Sequence, residues 1–414
     1  MSTQSNKNTK CRMCNSKNLV KFLSLGNQPL ANAFLTEKEL KDKEPRYPLE
    51  AYLCLECNLA QLIDVVPKEV MFSNYVYFTA GMPKISNHFK QYAEYVIQHF
   101  LKNKNDLIVE IGSNDGILLE FFKDKGYRVQ GIDPAENVIK VAISKGIPTI
   151  CDFFNEKIAA DVKKAHGTAT AILANNVVAH IDNHTTLFNG VSELLKKEGV
   201  FVFEAPYLVD MFKNLTYDTI YHEHLSFLSV RPLVKSLSSF GLEIFNVQLF
   251  PVQGQSIRVF AGHKGEHKIK NSVKGFVDAE LAMGLDNLDS YKKLAERVAK
   301  STSKLIKKLN DLKHDGKKIA IYGAPAKGNT LLNYAKIGPD IVDYALDELP
   351  SKHNLYTPGM HIKVVDKKYA ISHKPDYYLL LAWNYRNAII EKEAEYIKNG
   401  GKFIIPVGDE IDII

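Results

Sequence analysis

From Asp106 to Glu204 the chain repeats one pattern: a short apolar run, a break of small or acidic residues, then a stretch with apolar positions every three or four residues. Asp106–Glu110 (DLIVE) reads as a buried strand that enters Ile111-Gly-Ser-Asn-Asp-Gly116, and ILLEFFKDK after it reads as a helix. Tyr127–Asp133 is a second strand, a third piece ends at Cys151-Asp-Phe-Phe154, Ala169–Asn176 is a fourth strand and Gly199–Glu204 a fifth, with a helix over Thr185–Lys197. Strands alternating with helices predict a parallel α/β sheet. Ahead of it, Ile85, Phe89, Tyr92, Val96 and Phe100 share one face of a helix over Lys84–Lys102; behind it, LEIFNVQLF (242–250) and SIRVFAGH (256–263) read as a hairpin-like pair completing the sheet.

Residues 264–316 are Lys-rich and helical, with Tyr291, Leu294, Val298, Leu305 and Leu309 on one stripe and the charges on a solvated face. A second α/β unit follows: strand, glycine turn and helix start at 318–328, then strands over 341–348, 376–383 and 402–407. It predicts a second, smaller Rossmann-like sheet. At the other end, residues 1–75 gather around two CxxC pairs, and LGNQPLANAFL (25–35) reads as a loop broken by Gly26 and Pro29. Three units are expected: 1–75, 76–264 and 265–414.

A chain of 414 residues accommodates two or three domains. Its net charge of +6, from 53 Lys+Arg and 47 Asp+Glu scattered along the chain, does not demand a nucleic acid partner. No apolar run is long enough to span a bilayer, and MSTQSNKNTK lacks the apolar segment of a secretion signal, so a cytoplasmic protein is expected. In that reducing compartment Cys11-Arg-Met-Cys14 and Cys54-Leu-Glu-Cys57 favour a metal over disulfides. Four thiolates suit a tetrahedral structural zinc with no open position for substrate. Two redox or incidental CxxC pairs are the alternative, and Cys151, after an apolar stretch, is expected in the core.

The first chemical motif is Glu110-Ile-Gly-Ser-Asn-Asp-Gly116, where a strand delivers the chain to a glycine turn that a ligand can approach closely. It lacks the full GxGxxG pattern, and Glu110 and Asp115 would repel a phosphate. Asp133 ends the next strand, where it can accept both ribose hydroxyls of a nucleoside, with Pro134 beside it. A nucleoside with a cationic tail fits best, which points to S-adenosylmethionine (SAM) held by Glu110, Gly112, Ser113, Asn114, Asp115, Gly116, Asp133 and Pro134. Phe153 and Phe154 are placed to bracket adenine, and Asn175 and Asn176 to meet the methionine end.

The second motif is Tyr221-His-Glu-His224. Two histidines, a tyrosine and a carboxylate in succession suit proton transfer near neutral pH. A metal-binding H-x-H and a pair of surface histidines are the competing readings; no HExxH accompanies them. His180, just past the fourth strand, would face the same crevice. Tyr75 and Tyr77, at period 2 before the cofactor unit, point the same way: toward core packing, or toward a phenol hydroxyl on a substrate oxygen. In the C-terminal unit Tyr322-Gly-Ala-Pro-Ala-Lys-Gly328 opens a helix whose N-terminus, with Lys327, suits a phosphate; Asn329, Thr330, Lys352 and Arg386 are further candidates.

Taken together, the CxxC pairs, Glu110–Gly116, His180, Tyr221–His224, Tyr322–Thr330 and Tyr356-Thr-Pro-Gly-Met-His361 resemble the sugar C-methyltransferases of deoxysugar biosynthesis, over nearly the whole chain. The resemblance implies a zinc domain, a SAM-dependent methyltransferase domain and a C-terminal Rossmann-like domain holding a nucleotide-linked keto sugar, with dTDP or GDP the favoured nucleotides. It implies that His224 removes the proton beside the ketone, that Glu223 orients the site, and that Tyr221, Tyr75 and His180 stabilise the enolate oxygen. Where the family carries a serine-rich segment after Tyr-x-Tyr-Phe, this chain has Thr79-Ala-Gly-Met82, a difference that bears on the identity of the sugar. Rival readings are a sugar O- or N-methyltransferase, a non-enzymatic binding protein, and a zinc-containing RNA methyltransferase. For the last, Arg12, Lys17 and Lys21 form too sparse a basic surface.

Overall fold

The longest run of parallel strands lies in the middle of the chain, where the inner strands are buried on both faces. Residues 5–67, 70–71, 83–251 and 254–414 are described by the structure, a computed structural model. The central sheet has seven strands in the order Leu242–Phe250, Ser256–His263, Leu195–Pro206, Ala169–Asn175, Leu107–Ile111, Arg128–Ile132, Thr149–Ile150. Six point the same way and only Ser256–His263 runs against both its neighbours, so the hairpin-like pair does complete the sheet. The strand order reverses between Leu107–Ile111 and Ala169–Asn175, which opens a crevice at their carboxyl ends. Helix Pro83–Phe100 covers one face through Phe89, Tyr92 and Val96.

The C-terminal sheet has six strands in the order Val364–Val365, Ala345–Leu346, Ile319–Tyr322, Tyr377–Leu380, Lys402–Ile405, Asp412–Ile413, all parallel except the last. The strand expected over 341–348 is only Ala345–Leu346, because Ile341 and Val342 are buried in the turn before it.

The N-terminal sheet is antiparallel, in the order Ser226–Phe227, Ala60–Leu62, Tyr47–Cys54, Leu19–Gln28. Its outer strand Ser226–Phe227 closely follows Tyr221–His224 in the chain, so the segment carrying those histidines completes the sheet of the cysteine module. Two expectations are corrected here. The loop read over 25–35 begins later: the first strand continues through Gly26 to Gln28, because register shifts against Tyr47–Cys54 absorb the left-handed Gly26 (φ 77°). Cys151 is exposed rather than core, since the edge strand ends at Ile150 and the chain turns to solvent.

Helix Leu288–His314 ties the three sheets together. Its predicted stripe of Tyr291, Leu294, Val298, Leu305 and Leu309 is buried. Tyr291 packs on Phe22 of the N-terminal sheet (ring centroids 4.8 Å apart) and on Phe212 (5.0 Å). Tyr217 and Thr302 share a hydrogen bond of 3.0 Å, and Ser301 donates to the Gly408 carbonyl at 2.6 Å. Among the described residues, no helix is long and apolar enough to cross a membrane.

Candidate active site

The crevice begins at Glu110, buried at the end of strand Leu107–Ile111. Gly112 has φ 68°, and a Cβ there would stand 2.3 Å from Val177, so the turn requires glycine on both counts. Asn114, itself left-handed (φ 49°), donates its amide to Asp133 at 2.9 Å, and the Ala135 amide reaches the other Asp133 oxygen at 3.0 Å. A carboxylate has about four lone-pair sites, so Asp133 keeps acceptor capacity for hydroxyls. Asn175 Nδ2 donates to Glu110 Oε1 at 3.3 Å. Burial, with Asp133 and Asp115 adding to it, pushes the Glu110 carboxyl well up, while the Asn175 hydrogen bond opposes the shift. Glu110 Oε2, Ser113 Oγ and Asn175 Oδ1 are buried with no hydrogen-bond partner among the described residues. Orphaned acceptors at this strand end suit a ligand bearing hydroxyl and ammonium donors, so the residues fit SAM. Of the two phenylalanines, Phe154 is core, against Gly190; Phe153, like Pro134, is half-buried at the crevice rim.

Tyr221–His224 forms a tight turn, closed by the His224 amide on the Tyr221 carbonyl at 2.8 Å, so its four side chains diverge. His224 Nδ1 lies 2.7 Å from the Thr219 carbonyl, which can only accept; Nδ1 therefore carries the proton and Nε2 is the basic nitrogen. Tyr221 Oη lies 2.8 Å from that Nε2, and the His180 ring stands edge-on at 4.9 Å. Burial holds His224 down to about 4, with a contribution from the Lys327 charge and against the Thr219 hydrogen bond; burial and His224 hold His180 down to about 3. Both rings are neutral at pH 7.

The other two side chains go elsewhere. His222 is buried edge-on to Tyr47 of the N-terminal sheet, with ring centroids 5.8 Å apart, and it lines the same cavity as Glu223. Glu223, expected to orient the site, accepts a 2.7 Å hydrogen bond from Asn32 and faces a cavity of about 260 Å³; burial pushes its carboxyl up to about 7. All three units contribute to that cavity: Asn32 and Phe34 from the N-terminal region, Tyr221 and Glu223 from the turn, Lys352 from the C-terminal region. Tyr75 and Tyr77, and the Thr79–Met82 segment, lie outside the described residues.

The C-terminal candidates disperse. Lys352 lines the cavity, paired with Asp347 at 3.2 Å and donating to the Ala324 carbonyl at 2.9 Å. Lys327 is held within its own unit: its Nζ donates to Asn384 at 2.7 Å and stands 3.7 Å from the Trp383 ring centre. Burial lowers it to about 8, against the attraction of Asp218 and Asp210. Tyr322 is buried with its hydroxyl on Glu393 at 2.8 Å, Asn329 Nδ2 donates to the Ala31 carbonyl at 2.7 Å, and Thr330 is buried in the same helix. None of the three lines the cavity: Asn329 reaches across to the N-terminal region, and Asn329 Oδ1 and Thr330 Oγ1 are buried with no hydrogen-bond partner among the described residues; Arg386 is exposed.

The four cysteines do converge. Their sulfurs lie within 4.8 Å of one another, with Cys11–Cys57 and Cys14–Cys54 each at 3.6 Å. Zinc–sulfur bonds of about 2.3 Å in a tetrahedron set sulfurs roughly 3.8 Å apart, so the donor set fits zinc. Each knuckle is followed by an asparagine in the left-handed region, Asn15 (φ 60°) and Asn58 (φ 64°), which turns the chain back. Gln61 Nε2 donates to Cys11 Sγ at 3.1 Å as an outer-shell partner.

Sequence reasoning missed Asn32, Asp218 and Trp383. Trp383 is the chain's only tryptophan, and its Nε1 donates to buried Asp218 at 2.7 Å, next to the Thr219 carbonyl that orients His224. A solitary tryptophan beside a lysine-bearing glycine-turn domain was the available signal; Asn32 had none, being one polar residue in an irregular segment.

Three family models match successive parts of the chain: "Putative zinc binding domain" at residues 11–72, "Methyltransferase domain" at 86–247 and "C-methyltransferase C-terminal domain" at 251–408. The C-methyltransferase NovU of Streptomyces niveus is 34% identical over 398 residues, covering 96% of this chain and 95% of NovU. Among solved structures, magnesium protoporphyrin IX methyltransferase from Synechocystis PCC 6803 with bound SAM is 11% identical, covering 43% of this chain and 79% of its own, with a TM-score of 0.33. A SAM-dependent methyltransferase from Clostridium acetobutylicum is 15% identical, covering 43% and 92%, with a TM-score of 0.34.

Proposed function

The chain belongs to the C-methyltransferase family and is a SAM-dependent methyltransferase with a four-cysteine zinc-binding module, and from that premise we propose that it methylates the carbon beside the ketone of a nucleotide-linked 4-keto-deoxy sugar. The observation that carries this reading is His224, whose Nδ1–H is spent on the Thr219 carbonyl while its neutral Nε2 faces Tyr221 and His180. A ketone acidifies the neighbouring C–H; when the Tyr221 hydroxyl turns from Nε2 to the ketone oxygen, the neutral imidazole is free to take that proton while Tyr221 and His180 donate to the enolate oxygen. SAM, when bound, supplies a methyl group activated by its sulfonium charge. Glu110, Asp133 and Asn175 orient it from the neighbouring strand ends.

Tyr221 joins the two halves of the site, since it lines the 260 Å³ cavity and bonds the base. We assign the sugar to that cavity. Glu223, with its carboxyl near 7, can there donate or accept a hydrogen bond to a sugar hydroxyl, and Lys352 faces the diphosphate. Excluding bulk water strengthens each of these contacts.

The test is solvent exchange. With a dTDP-4-keto-6-deoxyhexose and no SAM, wild type should wash deuterium into the carbon beside the ketone, and mass spectrometry after adding SAM should show methyl gain at carbon. Methyl gain at oxygen or nitrogen without exchange would instead identify an O- or N-methyltransferase. Exchange at the wild-type rate in His224→Asn would remove His224 as the base and leave His180 or His222, the latter lining the cavity beside Glu223.

A further inference from the structure

Arg12 lies between two zinc-ligand cysteines, and its side chain is buried. Nothing in its role as a spacer of a CxxC knuckle requires a guanidinium. Its donors all leave the knuckle. Nη1 donates to the Leu225 carbonyl, Nη2 to the Leu62 carbonyl at 2.7 Å, and Nη2 and Nε reach Asp182 Oδ1 at 3.3 and 3.4 Å. Leu225 directly follows His224, and Asp182 is two residues past His180. One planar fork therefore grips both loops that present the facing histidines. The grip is reinforced from the same module. The Leu62 amide shares the Leu225 carbonyl at 3.0 Å, Asn8 donates to Asp182 at 2.7 Å, and Gln61 contacts both the Arg12 amide (3.1 Å) and Cys11 Sγ (3.1 Å).

We propose that Arg12 is a positioning residue that couples the zinc knuckle to the active site by holding His180 and His224 in register. It rests on the reading of His224 as the base. The four thiolates set the knuckle, the knuckle aims the guanidinium, and the guanidinium spans the two histidine-bearing loops. Lysine keeps the charge but offers a single point of donation in place of the fork, so it cannot hold Leu225, Leu62 and Asp182 together.

Arg12→Lys should keep its zinc by metal analysis and its affinity for S-adenosylhomocysteine by calorimetry. Deuterium exchange into a dTDP-4-keto-6-deoxyhexose should fall at least about tenfold, in kcat more than in KM, as for a lost buried charged hydrogen bond. In ¹⁵N-histidine-labelled protein the ring signals of His180 and His224 should shift while those of His263 and His314, remote from the knuckle, stay put. Wild-type exchange together with unshifted His180 and His224 signals overturns the proposal. If Arg12→Lys loses zinc or fails to fold, Asp182→Asn, which leaves the knuckle intact, must itself slow exchange and shift the His180 signal; if it does neither, the proposal fails. Should His224→Asn exchange like wild type, the base assignment falls, and the histidine spectra still decide what Arg12 positions.

Discussion

The SAM crevice and the histidine cluster meet at the end of strand Ala169–Asn175, and they are held in different ways. The crevice is built by one sheet: Glu110, Gly112, Asn114 and Asp133 lie within two strand–turn units, braced by hydrogen bonds among these units and Asn175. The cluster is assembled from all three units, with Arg12 and the Ser226–Phe227 pairing on one side and Trp383 on the other. The zinc module and the C-terminal domain should therefore affect proton abstraction far more than cofactor affinity.

The largest effect should come from His224→Asn, which retains much of the shape but not the imidazole acceptor. Turnover and exchange should drop by about 10²–10⁴-fold. Calorimetric affinity for S-adenosylhomocysteine should be unchanged, and a matching loss there would blur the distinction between the two regions.

Zinc removal comes next. Purified protein should carry about one zinc per chain, bound by Cys11, Cys14, Cys54 and Cys57. Chelation should lower exchange by at least about tenfold while the central sheet still binds S-adenosylhomocysteine. Active, folded protein that contains no zinc on isolation would contradict this.

Asp133→Ala tests the other region. Losing a charged acceptor for hydroxyls costs roughly 1.5–3 kcal/mol, so cofactor affinity should weaken about tenfold or more. Exchange measured without SAM should stay at the wild-type rate. Trp383→Phe should be milder and of the opposite kind: exchange slows severalfold as Asp218 loses its indole donor, and cofactor affinity holds.

Acid stability is the smallest and most general prediction. Burial holds His184 and His222 down to about 4, as it does His224, and His180 to about 3. Unfolded histidine takes its proton near pH 6.5, so between about 6.5 and 4 the unfolded chain binds more protons and these groups cost stability as pH falls. Above 6.5 their contribution is flat. Buried carboxyls with raised values, Glu110 and Asp218 among them, act in the opposite direction. The histidine share is therefore read by difference: urea midpoints of His184→Gln should fall less between pH 7 and 5 than those of wild type.

Features that depend on neighbours in the chain were legible before any fold was known. CxxC spacing, a glycine turn after an apolar run and an acidic residue ending the next strand are local geometries; the strands stand where the apolar runs predicted them and the four cysteines converge as their spacing implied. Tyr221–His224 was legible as chemistry for the same reason. Where its side chains point was settled only by folding, because a tight turn sends successive residues in different directions: His224 to Tyr221 and Thr219, Glu223 to Asn32, His222 to Tyr47. Folding also settled that Lys327 faces Asn384 and Trp383 while Lys352 lines the cavity. Arg12 and Leu225 are 213 residues apart, and no periodicity reaches that far; their contact exists because the loop bearing His224 supplies the edge strand of the zinc-module sheet.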